Sequence, residues 1–140
     1  MSANKKSIFV WSPFISKVGT VQNVINSSYS INKYSKFNTN LINAFGEWDN
    51  YIEDPNLDKV VIYNFRFLRF IKHYDKTGFL KSRFSYLLIF IFSFFPLLNL
   101  IRKQKPDFLI VHLISSLPLI IFDLFNFKTK LILHVAGHPK

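Results

Sequence analysis

Apolar residues fall into short runs along the chain, and polar or turn-forming residues separate them. The clearest runs are residues 7–12 (SIFVWS), 59–64 (KVVIYN), 108–113 (FLIVHL) and 130–135 (KLILHV). A continuous apolar run of this length is typical of a strand that is covered on both faces, as in a parallel sheet. Residues 40–45 (NLINAF) form a weaker candidate, which ends at Gly46. The pattern therefore predicts a parallel sheet.

Stretches with helical spacing lie between these runs. After Thr20, a plausible N-cap, the apolar positions are Val21, Val24, Ile25 and Tyr29. Residues 117–125 form a short apolar helix with Pro118 in its first turn, where proline is tolerated. Strands that alternate with helices predict an α/β fold with a Rossmann-like, doubly wound, mostly parallel sheet. A length of 140 residues allows one domain.

The segment between the second and third predicted strands is strongly acidic. Residues 46–58 (GEWDNYIEDPNLD) hold five of the eight acidic residues of the chain. We expect this segment to be a surface loop, because charged side chains are rarely buried.

Composition and charge narrow the classes of function. Hydrophobic residues make up 49% of the chain, which excludes a disordered protein. The absence of cysteine excludes a disulfide scaffold, a thiolate zinc site and a cysteine nucleophile. The net charge of +10 predicts an acidic partner: nucleic acid, an anionic membrane surface or a phosphorylated substrate. No nucleic-acid-binding motif is present, so we expect no nucleic acid partner.

A basic and aromatic segment precedes the longest uncharged run. Basic residues alternate with Phe and Tyr over residues 66–83, and residues 84–101 then carry no charge. This pattern predicts peripheral binding to an anionic membrane surface. The alternative is a small, non-enzymatic integral membrane protein in which residues 84–101 span the bilayer. Pro96 interrupts that run, and Arg83 and Arg102 flank both of its ends, so the positive charge favours neither orientation.

Candidate site residues gather where the predicted strands end, which is where open α/β sheets bind ligands. Gly19 leads into a helix N-terminus that suits a phosphate or a sugar hydroxyl, although a single glycine is equally typical of a tight turn. His112 ends a strand and is either a ligand contact or a hydrogen-bonded core residue. No metal site is predicted, since the histidine spacing fits no zinc motif. The other candidates are Ser12, Lys17, Ser115, His134, Gly137 and His138.

Three segments resemble the N-terminal domain of glycosyltransferase family 4, whose retaining enzymes have two Rossmann-like domains (the GT-B fold). Residues 9–31 (FVWSPFISKVGTVQNVINSSYSI) resemble the first strand, glycine loop and first helix of that family. Residues 105–121 (KPDFLIVHLISSLPLII) resemble its Pro-Asp, strand and histidine pattern. Residues 128–140 (KTKLILHVAGHPK) are similar to its Gly-x-Pro turn. The chain departs from the family at Val18 and Ala136, where many members have glycine and histidine.

The resemblance implies an enzyme that transfers a sugar from a nucleotide-sugar donor to a lipid-linked or surface-glycan acceptor, with retention at the anomeric carbon. It implies that His112 hydrogen-bonds the sugar or acceptor, that the Gly19 backbone approaches the ligand, and that Lys17 contacts a phosphate. Gly137 and His138 would lie on the acceptor side. It implies no metal and no cofactor, and a cytoplasmic enzyme on the inner face of the cell membrane. Residues 1–140 would then be an incomplete N-terminal, acceptor-side domain, without the C-terminal nucleotide-sugar domain and inactive alone.

Overall fold

The protein is a three-layer α/β structure built on one parallel sheet. The computed structural model describes residues 6–15, 19–57, 60–65, 68–73, 78–112 and 116–134. The strands are β1 (Lys6–Trp11), β2 (Phe37–Asn43), β3 (Val61–Asn64), β4 (Phe108–His112) and β5 (Lys130–His134). They pair in the order β3-β2-β1-β4-β5, and all four pairings are parallel. The predicted parallel, Rossmann-like α/β sheet is confirmed, including its weak second strand.

Four helices cover the described part of this sheet. They are α1 (Gly19–Tyr34), α2 (Phe70–His73), α3 (Phe79–Gln104) and α4 (Ser116–Leu124). Helix α1 begins at Gly19, so Thr20 lies within its first turn and is not the N-cap that was predicted. The apolar run of residues 84–101 is the middle of the 26-residue α3, which continues through Pro96. Helix α3 ends where Lys105 adopts a left-handed conformation and its N–H donates to the Ile101 carbonyl at 2.9 Å.

Alternation along the strands divides the core into two layers. In β1, Phe9 and Trp11 point to one face, while Ile8 and Val10 point to the other. The first face packs against α2, α3 and α4. The second face packs against α1 and the segment after β2. Both faces of β1 and β4 are covered, which explains the continuous apolar runs at residues 8–11 and 108–111.

The acidic segment after β2 is not a surface loop throughout, and the prediction is wrong at Glu47 and Trp48. Their exposed fractions are 6% and 0%. The Trp48 ring packs against Phe14 at 5.0 Å between centroids, and its Nε1 donates to the Ile42 carbonyl at 3.2 Å. One large aromatic side chain therefore pulls the start of the segment into the core, while Ile52 remains exposed.

Candidate functional site

The carboxyl ends of β1 and β4 form the point where the strand order reverses. Strand β2 pairs with one edge of β1, and β4 pairs with the opposite edge of β1. Ser12 follows β1 directly and His112 is the last residue of β4. Both residues are buried. Such a switch point is the usual ligand-binding crevice of an open α/β sheet, so the structure brings these two predicted residues to the expected edge.

His112 is a buried imidazole with an unused hydrogen-bonding atom. Its exposed fraction is 8%, and its Nδ1 has no hydrogen-bond partner within the described residues. A buried polar atom without a partner costs about 1–3 kcal/mol, so such atoms are rare in folded proteins. Among the described residues, Nδ1 therefore does not make the hydrogen bond that a satisfied core histidine would make there.

A second histidine lies next to it. His134 occupies the paired position on β5, and the two ring centroids are 4.6 Å apart. Burial lowers the pKa of His112 to about 4, and the neighbouring charge of His134 adds to the effect. His112 is therefore neutral at pH 7, with one ring nitrogen able to accept a hydrogen bond and the other able to donate one. His134 was predicted at this edge but not as a neighbour of His112, because strand register is not visible in a single sequence.

The structure describes fewer contacts for the remaining predicted site residues. Gly19 is the first residue of α1, and apart from its chain neighbours and the backbone of its own helix turn, no described atom lies within 4 Å of the position that a Cβ would take. The space at this helix N-terminus is open among the described residues, as a backbone approach to a ligand requires. Lys17, Gly137 and His138 lie outside the described residues, and so does Ser115.

A polar network that sequence analysis missed occupies the ends of β2 and β3. Asn43 is its centre: the side-chain amide Nδ2 donates to Asp49 Oδ1 at 2.9 Å and to Asn64 Oδ1 at 2.8 Å. Its Oδ1 accepts from the Gly46 N–H at 2.9 Å. The sequence did carry a signal for this network: Asn43, Gly46 and two acidic residues follow one another at the end of a strand. Asparagine and glycine are typical turn residues, and Gly46 adopts a φ of 106°, which favours glycine.

An ion pair closes this network on its outer side. Lys72 Nζ lies 2.9 Å from Asp49 Oδ2 and ties α2 to the segment after β2. Burial alone raises the pKa of Asp49, but the hydrogen bonds from Lys72 and Asn43 and the charges of Lys72 and Arg69 outweigh it, and the net pKa is lowered. The pair is partly exposed, so its contribution to stability is below about 1 kcal/mol.

Glu47 folds its carboxyl group back onto the backbone. Oε1 accepts from the Ala44 N–H at 2.9 Å, and Oε2 accepts from the Phe45 and Gly46 N–H groups at 2.9 and 3.2 Å. Burial raises its pKa to about 7, although these amides act in the opposite direction. Both oxygens are occupied within the segment, so Glu47 shapes the edge of the sheet and is not aimed at a ligand.

Asn43 and His112 flank the end of β1 from opposite sides. Their strands, β2 and β4, are both neighbours of β1, and two strand spacings separate them by about 10 Å. The Asn43 side is internally hydrogen-bonded, while Nδ1 of His112 has no partner among the described residues. Across the described residues no group of three or more His, Cys, Asp or Glu side chains is placed to hold a metal ion. The arrangement can hydrogen-bond a polar, uncharged ligand group.

Comparison with known proteins adds no relative: no protein-family model, no curated protein and no solved structure matches the chain.

Proposed function

We propose that this chain is the acceptor-side, N-terminal part of a retaining glycosyltransferase with a GT-B fold. The enzyme moves a sugar from a nucleotide-sugar donor to a lipid-linked or surface-glycan acceptor. The donor half of the cleft belongs to a second Rossmann-like domain that residues 1–140 do not contain. The resemblance of residues 9–31, 105–121 and 128–140 to family 4 is the starting point of this proposal.

The observation that carries the proposal is Nδ1 of His112, which lies at the switch point of the sheet and has no hydrogen-bond partner in the part of the chain that the structure describes. A neutral imidazole suits a sugar hydroxyl, because it accepts from one hydroxyl group and donates to another without bringing a charge. Its fold position is the ligand edge of an open parallel sheet. The open space at Gly19 supports a ligand phosphate at the N-terminus of α1.

His112→Leu tests the proposal, because leucine fills nearly the same volume without a polar atom. In the gene product that joins this domain to the proposed second domain, we expect the variant to lower turnover more than about tenfold. The free energy of unfolding should stay equal or rise by about 1 kcal/mol, since an unsatisfied buried atom is removed. Transferase assays and urea unfolding measure the two effects.

The control is His73→Leu, which changes an exposed histidine on α2 and should leave turnover unchanged. Residues 1–140 alone should show no turnover with any nucleotide sugar. If His112→Leu has normal turnover and a lower free energy of unfolding, the role of His112 is purely structural. Turnover by residues 1–140 alone would contradict the two-domain proposal.

The second candidate is a small membrane protein without enzymatic activity. Helix α3 has 26 residues and contains an 18-residue stretch with a mean hydropathy of 2.1, so its length and composition suffice to cross a bilayer. A spanning α3 predicts that the protein resists carbonate extraction from membranes and shows protease protection on one side. Release by carbonate would remove this candidate.

A further inference from the structure

Helix α3 presents an apolar stripe to solvent. The side chains of this α3 stripe are between 48% and 80% exposed, and they are Leu80, Phe84, Leu87, Ile91 and Phe95. They follow one another at intervals of three or four residues, so they lie along one side of the helix. On the opposite side Ser85, Ile89, Ser93 and Leu97 are buried. The helix therefore has one apolar face against the sheet and a second apolar face whose side chains are at least 48% exposed.

A basic groove of about 550 Å³ lies beyond the C-terminal end of α3, next to the starts of β1, β4 and β5. Five cationic side chains and one acidic side chain, Asp107, line it. Asp107 Oδ2 accepts from the Ser7 N–H at 2.8 Å, so this carboxylate is engaged by the backbone. The cations of the basic groove are Lys6, Arg102, Lys105, Lys128 and Lys130.

The stripe and the groove are continuous. Arg102 follows Phe95 by seven residues, which is close to two helical turns, so both lie on the same side of α3. Phe95 and Arg102 also line one shallow hollow beside Pro96. The Arg102 guanidinium stacks on the Phe125 ring at 4.6 Å, which holds it at the mouth of the groove. An apolar strip thus leads directly into a cluster of positive charge.

We propose that the α3 stripe and the basic groove form one surface that docks onto an anionic lipid leaflet, with α3 parallel to the membrane plane. The stripe enters the boundary between headgroups and acyl chains, and the groove receives lipid phosphates. This inference goes beyond the proposed transferase and does not depend on it.

Charge decides between a lipid surface and a second copy of the chain. Helix α3 contains four basic residues and no acidic residue, and the whole chain carries a net charge of +10. Two copies that paired along the stripe would face each other with like charges at both ends of the helix. Lipid phosphates supply the opposite charge, and each basic residue near an anionic leaflet strengthens binding.

The packing of α3 decides between lying in the membrane and crossing it. Ile89, Leu97 and Ile101 belong to the same core cluster as the β1 and β4 residues Phe9 and Leu109. A spanning helix would have to leave that core and expose the sheet to water. A helix that lies in the plane keeps its inner face on the sheet and buries only the stripe.

Vesicle flotation with the full chain tests the surface. Ile91→Ser removes a stripe side chain that is 52% exposed, and Ile52→Ser is the matched control, 57% exposed and next to Tyr51, which packs on the α1 side of the sheet. On vesicles of phosphatidylglycerol and phosphatidylcholine in equal parts, we expect Ile91→Ser to bind at least about fivefold more weakly. Ile52→Ser should bind as the wild type does. Vesicles of phosphatidylcholine alone should bind at least about tenfold more weakly.

Insertion depth tests the orientation. Trp11 and Trp48 are buried in the core, so a tryptophan introduced by Leu80→Trp or Phe95→Trp reports on lipid separately. These positions are about 22 Å apart along the helix. Brominated lipids should quench both at equal depth if α3 lies in the plane. Clearly unequal depths, equal vesicle binding of Ile91→Ser and wild type, or a stripe-dependent dimer without vesicle binding would each overturn the proposal.

Discussion

Two buried ionisable side chains, Glu47 and His112, respond to pH in opposite directions. Burial raises the pKa of Glu47 to about 7, so between about pH 4.5 and 7 the folded state keeps a proton that the unfolded chain releases. The protonated Glu47 makes its full contribution to the free energy of unfolding below pH 4.5, and this contribution is lost as the pH rises through 7. Burial and His134 lower the pKa of His112 to about 4. Its contribution is complete above about pH 6.5 and is lost as the pH falls towards 4.

Glu47→Gln separates the two effects. We expect the stability difference between wild type and Glu47→Gln to fall by about 3 kcal/mol as the pH rises from 4.5 to 7.5. Urea unfolding followed by tryptophan fluorescence measures it, because Trp11 and Trp48 are buried in the folded state. A difference that stays constant or rises over this range would mean that the three backbone amides hold the carboxylate charged.

Some features of individual residues could be predicted from the sequence, and others could not. His112 was recognisable as a strand-end histidine, and Gly19 as a turn residue that leads into a helix. The contact between His112 and His134 was not recognisable, because it depends on the pairing of β4 with β5. The burial of Glu47 was missed because acids were taken as a sign of exposure, whereas its partners are backbone amides of its own segment.

At the scale of elements, the inner face of α3 contains two serines in different situations. Ser85 and Ser93 are both fully buried and lie eight residues apart on the same helix face. The Ser85 hydroxyl donates to the Lys81 carbonyl at 3.0 Å. The Ser93 hydroxyl has no partner within the described residues. One serine is therefore satisfied by its own helix, and the other leaves a polar atom unpaired in the core.

Ser93→Ala should raise the free energy of unfolding by about 1 kcal/mol or more, because it removes the unpaired hydroxyl. Ser85→Ala is the matched control: it gains the same helix propensity but loses a hydrogen bond, so it should stabilise less. Urea unfolding of the two variants at one pH gives the comparison. Equal changes in stability would show that the Ser93 hydroxyl does have a partner.

The hydrophobic pattern was sufficient to predict the bounds of those strands that are covered on both faces. The runs that predicted β1 and β4 end within one residue of the observed strands. Periodicity was weaker for α3, because apolar residues surround that helix on nearly all sides. The sequence showed an uncharged run, and packing on the sheet distinguished the inner face of the helix from the stripe.

At the scale of the whole molecule, β5 is the outermost strand of the described sheet. It pairs with β4 on one side only among the described residues. Ile132 and Leu133 are about half exposed, and they point to opposite faces of the strand. An apolar strand at the edge of a sheet is a template for pairing with another chain.

We expect the purified 140-residue chain to self-associate through this edge. Leu133→Lys should reduce self-association at a given protein concentration, because a charged side chain on an edge strand opposes strand pairing. Analytical ultracentrifugation at rising concentration provides the measurement, with Ile91→Ser as the comparison that leaves the edge intact. A monodisperse wild-type monomer would contradict this prediction.

The sequence by itself determined the parallel α/β fold class, the positions of the strands, the positive charge and the placement of His112 at a strand end. These depend on local patterns of apolar residues and on composition, which a linear chain displays directly. Tertiary structure alone decided the strand order, the contact between His112 and His134, the burial of Glu47 and Trp48, and the side of α3 that faces the sheet. Those features depend on which residues meet across long separations in the chain, and burial sets hydrogen bonding and pKa only after the residues have met.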